Sequence, residues 1–391
     1  MKRIQLFFLL ILLAGFHFSL LAQFQFQDLK LQEAVNKSAA ENKPVFLMMY
    51  QSTCSHCEKM LNVVMPDSLI VNFYNTHFIC IKAEMLTDPD AQKLSKHFYV
   101  QSFPTFAIID KNAETIFQYV GEFKAADFVH MGELALQPDQ QLPNLKSNFL
   151  LHTSDSVACY NYLAGLSRGR LATQPVVNIY FSAIKDHFEY SLYNWKIFSM
   201  AVSDMESEVF RFMSEHRKEF SDIVTQKKVD RKLYLTAAYN LQTTSGANDT
   251  TAFNKVKKLS LDLGLTQVDS MVFITSLNLA EKNKEWPQYI SIAINGGEKF
   301  VWGDATLLRR MSETIYQNTI EKSQLQKAAN FAVRSAELKP DYFSNLSAAK
   351  IYLKIGYKDF AKKYADEAID LGSKNNINVS EANLVLSQCG G

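Results

Sequence analysis

The sequence has no excess of charge of either sign. Its 391 residues carry 41 Lys and Arg against 40 Asp and Glu, a formal net charge of +1. That balance argues against a nucleic-acid-binding surface and against an acidic tail. Cysteine is scarce and odd in number. The five, Cys54, Cys57, Cys80, Cys159 and Cys389, are irregularly spaced, which excludes a disulfide-stapled scaffold. Cys54 and Cys57 have no second C-x-x-C or C-x-x-H pair to accompany them, and His56, His77 and His97 fall in segments with other evident roles. Half a ligand set does not make a structural zinc site, so no metal is called for. No cysteine follows the N-terminal apolar run, which removes a lipid-modified N-terminal cysteine. What the chain does have is a hydrophobic content of 47% in a length too great for one ordinary core. The expectation is two domains, or one domain joined to a repeat array.

Residues 1–22 read as a signal peptide. Lys2 and Arg3 precede the apolar run "LFFLLILLAGF", and "LLA" ends on a small residue before Gln23. The competing reading is an uncleaved membrane anchor, but polar Gln5, His17 and Ser19 interrupt the run. Either way the remainder is expected in an exported, periplasmic or other extracytoplasmic compartment, where a cysteine pair persists as a disulfide unless something keeps it reduced.

After this segment, "DLKLQEAVNKSAAENK" places Leu31, Ala34, Val35 and Ala39 on one helical face, and Pro44 ends the pattern. "VFLMMY" is a short apolar run of the length of a strand buried on both faces. "CSHCEKMLNVVM" and "DSLIVNFYN" read as helix, "HFICIKAEM" as a second buried strand, and "DPDAQKLSKHFYV" as helix again. "TFAIID" and "TIFQYV", joined by "KNAE", predict an antiparallel hairpin; Gly121 breaks the pattern before the amphipathic "KAADFVHMGELAL". Strands alternating with helices predict a sheet with covered faces. The two prolines of "QPDQQLPNL" make residues 138–150 the linker candidate. From there to the C-terminus the strand signal fades and helical patterns recur. Near residues 324–373, Tyr352, Ala361 and Ala368, with Ala328 and Pro340 before them, resemble the spacing of a tetratricopeptide repeat over about one and a half units. The aromatic segment "FEYSLYNWKIF" at 188–198 could line a groove, but at helical spacing it reads as core.

The chemistry concentrates at "YQSTCSHCEKM", residues 50–60. A disulfide closing so short a loop gains little stability, which disfavours a purely structural staple. A cysteine at the first turn of a helix meets unpaired backbone N–H groups that stabilise a thiolate, and a second cysteine one turn on can reach back to resolve a mixed disulfide. Cys54 and Cys57 have those positions. About 45 residues further on stands "SFPTF", then the hairpin, then Gly121 before the last helix. In these motifs and their order the chain from 23 to 137 resembles the thioredoxin superfamily. The resemblance implies an α/β thioredoxin-like domain with a central mixed sheet flanked by helices, followed by an all-α helical-repeat domain over 151–391. It also implies that Phe103–Pro104 is a cis peptide facing the dithiol, with the Phe103 backbone free to pair with a substrate strand.

The resemblance has departures. Ser55 and His56 replace the family's Gly-Pro, and a histidine before the second cysteine is similar to the periplasmic disulfide oxidases, so His56 and Ser55 are expected to tune Cys54. Thr53 replaces a tryptophan. Met48 stands where thioredoxins bury a proton-relaying acid, which leaves Glu84 and Lys82 as substitutes if the second strand points them inward. Cys80 reads as a small buried hydrophobe, and Cys159 and Cys389 likewise. The expected function is thiol-disulfide exchange with protein thiols and disulfides through Cys54 and Cys57, with a redox partner protein, a protein partner on the helical region and no organic cofactor. The alternative is a non-catalytic adaptor whose helical array binds partners.

Overall fold

A computed structural model describes residues 23–247 and 249–390; the expected signal peptide lies outside the described residues. The chain forms two compact units. One runs to residue 225 apart from 204–206; the other takes 204–206 and everything from 226 onward.

The first unit opens with helix α1 (Leu31–Glu41), strand β1 (Val45–Tyr50), helix α2 (Ser55–Lys59) continued by a π-helical turn (Met60–Val64), helix α3 (Ser68–His77), strand β2 (Ile79–Glu84), helix α4 (Ala91–His97), the hairpin β3 (Thr105–Ile109) and β4 (Thr115–Val120), and helix α5 (Ala125–Leu136). This is the element order expected from the periodicity. The sheet runs β2-β1-β3-β4. β1 pairs parallel with β2, and β1–β3 and β3–β4 are antiparallel. β1 is buried almost throughout because both its faces are covered, which explains its unbroken apolar sequence. Phe46 and Met48 face a core shared with Cys57, Met60, Tyr74, Phe106 and Phe128. Val45, Leu47 and Met49 face the other, with Ala34, Val35, Leu94 and Phe98. In the first core the hydroxyls of Tyr74 and Tyr119 bond each other at 2.9 Å, and Tyr74 donates to the Phe128 carbonyl at 2.8 Å. Two buried phenols are thereby satisfied in an otherwise apolar layer.

The expected linker is the main difference from the sequence reading. Residues 138–150 form a short 3-10 turn (Pro138–Gln140) and most of helix α6 (Leu142–Leu151). The prolines mark helix starts rather than an extended spacer, since the missing N–H costs nothing in a first turn. Leu145 and Phe149 are buried, and α6 and α7 (Ser156–Arg168) pack on β4. Helices α8 (Gln174–Ile184), α9 (Leu192–Ala201), α10 (Glu208–Glu215) and α11 (Arg217–Ile223) complete the unit. The segment at 188–198 is core, as its spacing predicts: Phe188 and Phe198 stack at 5.5 Å, and Trp195, Phe198 and Phe220 are buried together.

The second unit is a run of helices, α12 (Gln226–Gly246), α13 (Thr250–Asp262), α14 (Thr266–Lys282), α15 (Trp286–Phe300), α16 (Ala305–Asn318), α17 (Lys322–Leu338), α18 (Tyr342–Ile355), α19 (Lys358–Lys374) and α20 (Ser380–Cys389). Sequential helices pack against each other. Ala328, Ala332, Ala348, Ala361 and Ala368 are fully buried, small enough for close helix contact. Pro340 stands between α17 and α18, where Asp341 caps the next helix by accepting the Ser344 N–H at 2.8 Å. Among the described residues no helix is long and apolar enough to cross a membrane.

Candidate functional site

The dithiol stands where β1 hands over to α2. Cys54 has extended backbone at the N-cap of α2, and its Sγ accepts the Cys57 N–H at 3.4 Å. A sulfur so placed uses an orphan donor of the helix's first turn, and a thiolate accepts that bond better than a thiol. Cys54 is half-buried, whereas Cys57 is buried in the core with Met48. Burial, then the hydrogen bond with Cys54, pushes the Cys57 thiol up to about 12. The pair is therefore asymmetric: Cys54 is partly exposed, and the Cys57 thiol is buried and held protonated.

Opposite lies the turn before β3. Phe103–Pro104 is a cis peptide, and the Cys54 thiol faces the Phe103 carbonyl at 3.7 Å. Phe103 precedes the first ladder residue, Thr105, whose hydroxyl closes the turn by donating to the Ser102 carbonyl at 2.7 Å. The Pro104 carbonyl accepts the Gly121 N–H at 3.0 Å. Gly121 has φ of +116°, backbone that other residues rarely adopt, which explains the glycine singled out in the sequence.

Glu84 and Lys82 lie on the dithiol's face of β2, yet both are committed elsewhere. The Glu84 carboxylate accepts the Ser52 N–H at 2.8 Å, the Leu86 N–H at 3.0 Å and the Thr87 hydroxyl at 2.8 Å. These donors, Ser52 first, hold its carboxyl below the usual carboxylate range. Glu84 thus clamps the loop that delivers Cys54. The Lys82 ammonium lies over the rings of Phe26 at 5.1 Å and Tyr50 at 5.8 Å. The Tyr50 hydroxyl is pushed up by burial, then by the charge of Glu84. Met48 is fully buried.

Ser55 and His56 are exposed on the first turn of α2. His56, expected to act on Cys54 through proximity, directs its Nδ1 to Glu122 at 2.8 Å, and Lys59 shares the same carboxylate. These two partners hold the Glu122 carboxyl below its ordinary value. An opposing carboxylate weakens any field that a charged imidazole exerts on the sulfur. Glu122 is a residue that sequence reasoning missed; its signal is that it follows Gly121. Cys80 and Cys159 are buried, and burial raises both thiols; Cys389 donates to the Val385 carbonyl at 3.2 Å within its own helix.

Comparison with known proteins agrees with this geometry. A family model described as a thioredoxin-like domain matches residues 31–136. Mouse spermatogenesis-associated protein 20 is 36% identical over 67 residues, 17% of this chain and 8% of that protein. An uncharacterized protein of Caenorhabditis elegans is 35% identical over 71 residues, 18% of this chain and 10% of its own length. The chain thus spans a tenth or less of the curated relatives it matches. Among solved structures, a putative disulphide-isomerase from Bacteroides thetaiotaomicron is 26% identical, with 30% of this chain and 95% of that one covered and a TM-score of 0.28. A DsbH oxidoreductase is 21% identical, with 30% and 88% covered and a TM-score of 0.26. On the family model, residues 31–136 are a thioredoxin-like domain, with Cys54 and Cys57 together at the head of its second helix and a long all-helical region following it in the chain.

Proposed function

We propose that the protein is an exported thiol-disulfide oxidoreductase acting on protein substrates through Cys54 and Cys57. The observation that carries the reading is the asymmetry of the pair: a partly exposed Cys54 opposite a ladder-free Phe103 carbonyl, with a buried Cys57 one turn behind. In the reducing direction the Cys54 thiolate attacks a substrate disulfide, and one substrate sulfur leaves as thiolate and takes a proton. Cys57 then gives up its proton and attacks the Cys54 sulfur. The second substrate thiol is released, and a Cys54–Cys57 disulfide remains. The oxidising direction is the reverse. The Phe103 backbone pairs with the substrate strand, and Pro104 shapes the turn that presents it; Ser55 and His56 tune the pair from the rim. The helical region recruits a protein partner, and the N-terminal segment directs export.

The test is the reduction potential of the mature protein, equilibrated in glutathione buffers. A reversible two-cysteine transition is expected. A potential near about −120 to −180 mV means that the protein makes or reshuffles disulfides, and one near about −270 mV that it reduces them. Absence of any reversible transition overturns the reading in favour of an adaptor.

A further inference from the structure

The end of helix α7 reaches the dithiol's substrate loop. The helix closes with the Leu171 N–H on the Leu166 carbonyl at 2.9 Å and the Arg170 N–H on the Ser167 carbonyl at 3.1 Å. This is the bonding of a Schellman cap, whose left-handed position is ordinarily glycine. Here Arg170 occupies it, with φ of +53°. A glycine is adjacent but committed: a Cβ on Gly169 would come within 2.9 Å of the Gln118 Cβ and 3.3 Å of the Gln118 carbonyl oxygen. The same Gln118 donates to the carbonyls of Phe98 at 2.9 Å and Gly169 at 3.0 Å, and the Arg168 guanidinium lies 4.4 Å over the Phe117 ring. The turn is thus pinned to β4, and an arginine is held in a conformation that disfavours it. Strain retained in this way marks a position for a functional reading.

The Arg170 side chain supplies one. Its Nη1 donates to the Ser102 hydroxyl at 2.7 Å. The next residue, Phe103, carries the carbonyl that faces Cys54. Arg170 is otherwise exposed, and among the described residues no carboxylate pairs with it. Glu122, on the loop after β4, is already shared by His56 and Lys59. A guanidinium has five N–H donors in a planar fork that fits a carboxylate, and most of them remain unused. We propose that Arg170 is a specificity-determining residue of the dithiol site, selecting substrate segments that carry an acidic side chain beside the reactive cysteine. The inference rests on the exchange reaction proposed above.

The test uses the full-length Cys57→Ser protein and three peptides, each bearing one cysteine in mixed disulfide with glutathione and differing only in a Glu, Gln or Lys next to it. Cys54 attacks the peptide sulfur, glutathione leaves as thiolate, and the adduct is trapped and timed by mass spectrometry. The Glu peptide is expected to react about two- to fivefold faster than the Gln peptide, in proportion to an exposed charge pair, and added salt should shrink the preference. Arg170→Gly should bring that ratio close to one without lowering the thermal midpoint, because glycine suits this backbone position. Arg170→Lys should keep part of the preference, having the charge without the fork. Comparing ratios between proteins cancels the peptides' own reactivities. An unchanged ratio in Arg170→Gly overturns the assignment and leaves the exchange reading standing. Failure of all three peptides to form any adduct overturns the exchange reading, and this inference with it.

Discussion

Cys57 shows how one buried atom sets the behaviour of a pair. Its thiol, pushed up to about 12 by burial and by its bond with Cys54, stays protonated across the physiological range. Iodoacetamide at pH 7.5 is therefore expected to label Cys54 at least about tenfold faster than Cys57, read by peptide mapping of the reduced protein. The same shift links to stability. In the unfolded chain Cys57 loses its proton near about 8.5 to 9, whereas in the folded protein it keeps it until about 12. Between those values the unfolded state binds fewer protons, so stability falls as pH rises. Urea midpoints of reduced wild type and Cys57→Ser should diverge between pH 8 and 10.5, with the wild type losing more; parallel curves would remove the burial effect. Both cysteines were legible in the sequence as a pair, because their spacing is local. The partner of His56 was not, since Glu122 lies 66 residues away and only the turn at Gly121 brings it back.

At the scale of elements, the loop between β1 and α2 is held from the neighbouring strand. Glu84 ends β2 and bonds the Ser52 N–H beside the Cys54 turn, while the Met85 N–H bonds the Tyr50 carbonyl at 2.7 Å. Glu84→Gln is expected to cost about 1–2 kcal/mol, the scale of a hydrogen bond to a charged group. The carboxyl sits below its ordinary value of 4.5 in the folded protein. Its contribution is therefore present above about that pH and lost as pH falls through the lowered folded value. Chemical denaturation of wild type and Glu84→Gln at pH 7 and pH 3 measures this: the gap should narrow at pH 3, and a constant gap would mean that the carboxylate charge is not what matters. Element types were largely readable. Buried strands announced themselves as apolar runs, and Pro44, Pro66 and Gly121 punctuated them. The direction of Glu84 was not readable, because alternation along β2 assigns it a face and says nothing of which donors wait there.

At the scale of the molecule, the boundary of the thioredoxin-like part carries a prediction. Helices α6 and α7 pack on β4, and Gln118 spends its amide on Phe98 and Gly169. A fragment of residues 23–137 is expected to unfold at a lower temperature than one of residues 23–225, and to aggregate more readily through its uncovered β4 edge. Calorimetry and light scattering on the two fragments decide this; equal midpoints would make the helices a separable appendage. The two prolines that suggested a linker begin helices instead, a reading that composition alone does not distinguish from a spacer.

The sequence by itself determined the alternation of strands and helices, the dithiol at a strand-to-helix junction, the turn at Pro104 and the helical character of the remainder. All of these depend on spacing over a few residues, where backbone geometry is local. Only the tertiary structure decided what faces the dithiol from afar. Glu122 meets His56, Glu84 holds Ser52, and Arg170 reaches Ser102 across 68 residues. Such contacts are made by loop ends and helix caps whose meeting is set by sheet order and packing, and no periodicity in the chain encodes them.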